Sequence, residues 1–246
     1  MTRTGGSGTV AVPDSAPAPA RSAECGAVTS RPVPRALSDL PYRRHLVPVT
    51  EPFDDSTDLD RAHVTGVDLS ATDAPASAFS ECAFSSVEFG TARLPRSRFT
   101  DVRLTGCRLV GTDITTSSWF DAELVNSVVA GGLAYDSTLR RVTFHGCKLA
   151  SVNLRGSRIT DVVFADCTLD EVDFGGATLT RVRFPGSTLR NVGLDDATMD
   201  RVDLREADDL HLRLGPSSLT GLVIDTAQLT ALAPAFAQAL GVTVVD

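Results

Sequence analysis

The sequence predicts an all-β solenoid, and three observations carry that reading. Large apolar residues recur every five positions, residues of alternating size recur with a period of ten, and both patterns are missing from the two ends of the 246-residue chain. Internal repeats of this kind take precedence over any local helix or strand signal.

The five-residue series runs Phe79, Phe84, Phe89, Leu94, Phe99, Leu104, Leu109, Ile114, Trp119, Leu124 and Val129, then Leu139, Phe144, Leu149, Leu154, Ile159, Phe164 and onward. Of 31 positions from 79 to 229, only Ala134 and Asp209 are not large and apolar. A helix of 3.6 residues per turn would carry such a stripe around its whole circumference and bury nothing consistently. In an extended chain, residues i and i−2 face the same way. The i−2 series Val142, Cys147, Val152, Ser157, Val162, Cys167, Val172 and Ala177 alternates Val with a small residue. These two positions point inward, and the Asp, Arg, Thr, Asn and Gly between them point outward.

Five residues are too few to form a strand and return. Each unit is therefore one side of a coil whose backbone pairs with the coils above and below. The period of ten fits a square coil with opposite sides alike.

Stretches such as Val152-Asn153-Leu154-Arg155-Gly156, Val172-Asp173-Phe174-Gly175-Gly176 and Val202-Asp203-Leu204-Arg205-Glu206 resemble the pentapeptide-repeat family. The resemblance covers about residues 64 to 229. It implies a right-handed quadrilateral β-helix with four pentapeptides per coil and the large residues stacked in the lumen.

The ends follow from composition. Residues 1–49 form a Pro/Ala/Ser-rich tail expected to be disordered, with Pro13, Pro17, Pro19, Pro32, Pro34, Pro41 and Pro48 blocking helix and strand. Within it, Tyr42, Leu46 and Val47 are able to dock on the body. The β-helix occupies 50–229. Residues 230–246 are expected to close its open end, which would otherwise present unpaired backbone. A helix over 230–240 places Leu232, Phe236 and Leu240 four apart, Gly241 stops it, and Val242–Val245 form a short edge strand. In some members of the family a terminal helix pairs two rods, which makes this segment a candidate homodimer contact.

The side chains that carry chemistry do not assemble into a recognised site. Cys25, Cys82, Cys107, Cys147 and Cys167 lack zinc spacing. Cys107, Ser127, Cys147, Cys167, Ser187 and Ala207 read instead as an inward ladder of small residues, with the thiols buried and reduced. Of His45, His63, His145 and His211, the nearest candidate for a catalytic pair is His145 beside Cys147, and Cys147 faces the opposite way. Gly131-Gly132 and Gly175-Gly176 lack the Lys and helix of a phosphate loop. The expectation is a non-enzyme with no cofactor and no metal. With 23 Lys and Arg against 31 Asp and Glu, the net charge of −8 argues against direct binding to nucleic acid or anionic membranes. No apolar run approaches the length of a membrane span or signal peptide, so the expected location is the cytoplasm.

Function is then sought on the outside of the rod. Asp195, Asp196, Asp200, Asp203, Glu206, Asp208 and Asp209 meet only Arg190, Arg201 and Arg205 in one coil. Between 110 and 135 the outward positions hold Val110, Phe120, Val125, Val128, Leu133 and Tyr135, while the inward series weakens at Ser127, Val129, Gly132 and Ala134. Three accounts fit this stretch: the tail docks there through Tyr42 and Leu46, a second subunit or foreign protein binds there, or a bulge turns some side chains inward. The reading is a protein-interaction module or scaffold whose partner is unidentified. The resemblance implies an alternative, mimicry of DNA at a type II topoisomerase such as DNA gyrase, with resistance to fluoroquinolone-type drugs. A DNA mimic should be acidic along its length, whereas Arg93, Arg96, Arg98, Arg103 and Arg108 make the first coils basic and Arg140, Arg141, Lys148, Arg155 and Arg158 continue into the middle.

Overall fold

The computed structural model describes residues 1–2, 31–52 and 57–245. The chain divides into two units, Met1–Ser30 and Arg31–Asp246, and the β-helix lies in the second. Cys25 and the first three tail prolines fall outside the described residues.

Residues stack on residues twenty positions away, Phe79 on Phe99 and Phe99 on Trp119, so each coil holds four pentapeptides. Side one is an eight-stranded parallel sheet from Asp58–Asp60 to Thr198–Asp200, and these strands count eight coils. Side two is a seven-stranded sheet and side three a six-stranded one. Side four is paired through single bridges, such as Asp113 with Leu133 and Leu133 with Asn153.

The inward residues form one continuous core, with Phe79, Phe84, Phe89, Phe99, Phe164 and Phe174 fully buried. On side two the rings of Phe144, Phe164 and Phe184 stack with centroids 4.7 and 5.1 Å apart, as their spacing requires. The i−2 positions of side one hold a ladder of serines. Their hydroxyls accept backbone N–H groups from the preceding coil at 3.1 Å, from Ser77 to Ser97, Ser117 to Ser137 and Ser137 to Ser157. The same hydroxyls donate to carbonyls at the corners, Ser157 to Ala134 and Ser137 to Ile114. Small inward residues thus satisfy backbone groups that ladder bonds leave over.

Corners take left-handed backbone, which costs a residue with a Cβ about 1–2 kcal/mol. After side two, Gly66, Gly106, Gly146 and Gly186 alternate with Ser86, Asn126 and Asp166, all with positive φ. A Cβ on Gly146 would sit 2.6 Å from Asn126 Oδ1, so the side chain of one coil occupies the space over the glycine of the next.

Both ends are closed by the chain itself. Strand β1, Val47–Val49, pairs in parallel with Ala62–Thr65 at the first coil of side two. Val47–Val49, expected in the tail, thus pair with the first coil. Near the other end, the interruption at Asp209 is a one-residue slip: Leu210 pairs with Leu189, and Leu212 with Val192. Helix α1 spans Thr226–Ala239 and starts earlier than expected, because Asp225 caps it in a reciprocal box with Gln228. Gln228 Nε2 also donates to the carbonyls of Leu204 and Ala207 at 2.6 and 3.4 Å, covering backbone acceptors of the last coil. Leu232 is buried and Phe236 half-buried, but Leu240 is 60% exposed and leaves the predicted stripe. Gly241 and Val242 donate to the carbonyls of Gln238 and Ala237, which ends the helix in a Schellman motif. Val242–Val245, expected as an edge strand, joins no sheet and is exposed.

Candidate interaction surfaces

Side two carries a buried charged cluster on its outward face. Arg103 and Glu123 stand in register one coil apart, and Arg103 Nη1 donates to Glu123 Oε2. His145, one coil further, places Nε2 3.4 Å from Glu123 Oε1. All three side chains are buried although they point away from the lumen. The cover is the segment that precedes β1. The Arg35 main-chain N–H donates to Glu123 Oε1 at 3.1 Å, and Arg35 Nε lies 3.6 Å from Oε2. Arg31 pairs with Asp166 at 2.8 Å. Between the short turns Leu37–Asp39 and Arg43–His45, Leu40 and Tyr42 are buried. Burial pushes the Tyr42 phenol up to about 12.

A carboxylate withdrawn from water costs several kcal/mol unless its oxygens are satisfied. Burial alone would raise the pKa of Glu123. The hydrogen bond with His145, the Arg35 N–H and the charges of Arg103 and Arg35 outweigh burial and hold it below the usual carboxylate range. At the neighbouring corner, the Arg141 guanidinium holds Asp121 low, while partial burial and the carboxylates of Asp121 and Glu81 push Asp101 up. A cleft of about 340 Å³ separates this corner from Pro32, Val33 and Arg35.

The six outward apolar residues do not gather into one patch. Phe120 is half-buried on side one, and Val125 is 6% exposed on side two. Val128 is half-buried on side three, where Val110 is 36% exposed. Leu133 and Tyr135 are exposed on side four. The pairs Val128 with Arg108 and Leu133 with Asp113 keep the twenty-residue register, so no bulge turns this stretch inward. The tail segment does dock, with Tyr42 buried and Leu46 half-buried, but along side two. The small inward residues leave an apolar void of about 40 Å³ in the lumen, lined by Trp119, Leu124, Val129, Ala134, Leu139 and Phe144 among others.

Charges in the last coils are partly neutralised. Asp200 pairs with Arg201 at 3.1 Å, Asp203 with Arg205 at 2.7 Å, and Asp209 with Arg190 at 3.8 Å. Asp196 accepts from Ser217, and Asp195, Glu206 and Asp208 form no ion pair among the described residues. Cys82, Cys107, Cys147 and Cys167 are free and buried. The Cys147 thiol donates to the Leu124 and His145 carbonyls inside the lumen, whereas the His145 ring faces Glu123 outside, so the two form no catalytic pair.

Reading outward residues singly missed the Arg103, Glu123 and His145 cluster. Arg103 and Glu123 come together only when positions twenty apart are aligned, and His145 sits two residues past Thr143, the next position in that register.

Residues 137–214 match the family model described as a pentapeptide repeat region, within the coils whose register is given above. Over this stretch the chain is a pentapeptide repeat region. No curated protein matches it. Among solved structures, the chain is similar to a trypsin-treated variant of QnrB1, a plasmid-mediated fluoroquinolone resistance protein. That match is 17% identical over 77% of this chain and 100% of that chain, with a TM-score of 0.32. Full-length QnrB1 is 14% identical over 80% of this chain and 99% of its own, with a TM-score of 0.32. HetL, a pentapeptide repeat protein involved in heterocyst differentiation regulation in the cyanobacterium Nostoc sp. strain PCC 7120, is 14% identical over 70% and 84%, with a TM-score of 0.30. Values this low carry no partner or activity across.

Proposed function

We propose that this pentapeptide-repeat protein is a non-enzymatic interaction module that binds a protein partner through the middle of sides three and four. The observation that supports this reading is the exposure of Val110, Leu133 and Tyr135, at 36, 43 and 39%, on adjoining sides. Exposed apolar groups on a rigid, repeat-built scaffold suit burial against another protein. The free buried thiols fit a reducing compartment and support a cytoplasmic location. The test is to replace Leu133 and Tyr135 together by Asp. Loss of a partner cross-linked to the wild-type chain in its own cell, with thermal stability unchanged, is the expected result. Unchanged cross-linking would overturn it.

A second reading, DNA mimicry at a type II topoisomerase such as DNA gyrase, draws support from the acidic coil around Asp195 and Asp196. Weighing against it are exposed Arg96, Arg98, Arg140, Lys148 and Arg158 along the rod. Inhibition of supercoiling by purified gyrase, or its protection from a fluoroquinolone, would raise this reading above the first.

A further inference from the structure

Outward side chains on a β-solenoid ordinarily meet water, so a buried outward carboxylate has to be accounted for by what lies over it. Over Glu123 lie residues 31–46, which form no strand and contribute no ladder bond to side two; only β1 does. This segment is held by side chains instead. Arg31 reaches Asp166, Arg35 meets Glu123 through both its main chain and its guanidinium, and Leu40 and Tyr42 are the buried anchors. Pro32 and Pro34 fix φ and keep Arg31 to Arg35 extended. Asp166 and Glu123 belong to coils two apart, about 10 Å along the rod at about 4.8 Å per coil. Four residues of polyproline II cover about 12 Å. The Arg-Pro-Val-Pro-Arg spacing therefore matches the coil spacing, and the segment lies on side two as a peptide lies in a groove.

We propose that side two is a peptide-recognition face for an extended, proline-spaced Arg-x-x-x-Arg segment followed by apolar and aromatic anchors, and that residues 31–46 are its occupant in cis. Glu123 is the central determinant, since it takes a main-chain N–H as well as a guanidinium, and Asp166 reads the other arginine. A segment without ladder bonds opens without unfolding the rod. A peptide of the same chemistry from another protein then competes for the face, its apparent affinity lowered by the fraction of time the cis segment is seated. The proposal is independent of the exposed apolar groups on sides three and four, because a partner there touches none of these residues.

The test uses the full-length protein and a fluorescein-labelled synthetic peptide with the sequence of residues 31–46. Replacing Leu40 and Tyr42 by Ala loosens the cis segment while leaving the lumen intact. Fluorescence anisotropy is expected to show the peptide binding this variant at least about tenfold tighter than wild type. The gain should vanish when Asp166→Asn and Glu123→Gln are added, or when both peptide arginines are replaced by Gln. Equal binding to wild type and loosened variant, or equal binding of the Arg and Gln peptides, would overturn the proposal. Dimerisation of the loosened variant without peptide capture would assign the groove to a second copy and equally overturn a foreign ligand. Hydrogen exchange on wild type gives a second measurement: amides of 36–46 should exchange well ahead of those in the Phe144 to Phe184 coils. Exchange of both sets at one rate would show that the segment is part of the solenoid and not a ligand.

Discussion

On side one, the rings of Phe79, Phe99 and Trp119 stack through the first half of the rod, with centroids 4.8 and 3.8 Å apart. On side two the stack of Phe144, Phe164 and Phe184 fills the second half, so the aromatic column changes sides partway along the lumen. Outside, the contrast is sharper. Arg98, Arg140 and Arg158 of side one stand in solvent, whereas Arg103, Glu123 and His145 of side two are buried. The repeat dictates what the lumen holds on both sides. What covers the outside is decided by a segment that carries no repeat.

The largest effect belongs to the lumen. Phe164 lies between two stacked rings and is fully buried, and Phe164→Ala should cost about 3–5 kcal/mol, since close-packed neighbours collapse only partly into the cavity. Ile159→Val on side one removes a single methylene from the same core and should cost about 0.5–1.5 kcal/mol. Chemical denaturation measures both. Similar values for the two would mean that the ring stack contributes no more than ordinary aliphatic burial.

Next comes the outside of side two. Glu123→Ala strands the buried Arg103 guanidinium without its counter-charge, and a loss of about 3 kcal/mol is expected. Asp161→Asn breaks an ion pair with Arg181 in which both partners are more than a third exposed, and should cost under about 1 kcal/mol. The pH dependence has a definite sign. Glu123 is held below its ordinary range in the folded protein, so its contribution is complete above that range and is lost as pH falls below about 4. Asp101, pushed up by partial burial and by Asp121 and Glu81, works the opposite way and gains as it protonates. The melting temperature of wild type should therefore fall more steeply between about pH 5 and 3 than that of Glu123→Gln. Parallel acid limbs in the two proteins would show that the Glu123 site is not what makes the outside of side two acid-sensitive.

The lumen was legible in the sequence because every coil repeats the same demand for an apolar residue at one position. Phe144, Phe164 and Phe184 could be placed on one side by counting twenty. The serine ladder was harder to read, since Ser97 and Ser137 satisfy backbone groups and look like ordinary polar residues until their coil positions are known. Glu123 was illegible for a different reason: its environment depends on Arg35, which lies 88 residues earlier in a proline-rich stretch without period. The break at Asp209 was visible, but only pairing shows that Leu210 takes its place.

The crossover of the aromatic column leaves a smaller effect to test. Where it changes sides, Val129 and Ala134 replace larger residues and the void of about 40 Å³ remains. Ala134→Val points a larger side chain into that void and should stabilise the rod by about 0.5–2 kcal/mol, as cavity-filling substitutions commonly do. A raised melting temperature is the expected outcome. A lowered one would mean that side four cannot admit the added methyls, and the void would then belong to the neighbours of Trp119 instead.

The smallest stability effect is expected in the acidic coil, where the outside is covered by nothing. Asp196 and Asp200 are exposed, Asp195 is half-buried, and the Asp200 ion pair with Arg201 joins two side chains that are both more than half in solvent. Such charges gain little from one another and lose little when neutralised. Replacing Asp195, Asp196 and Asp200 together by Asn should leave the melting temperature nearly unchanged, within about 0.5 kcal/mol, as for ordinary surface substitutions. A larger loss would place these carboxylates in the same class as Glu123, with a structural role on the outside of the rod. If stability holds while inhibition of gyrase supercoiling disappears, the acidic coil is a contact for a basic surface. The open and covered outsides of the rod would then both serve recognition, one through free charge and the other through charge already paired in cis.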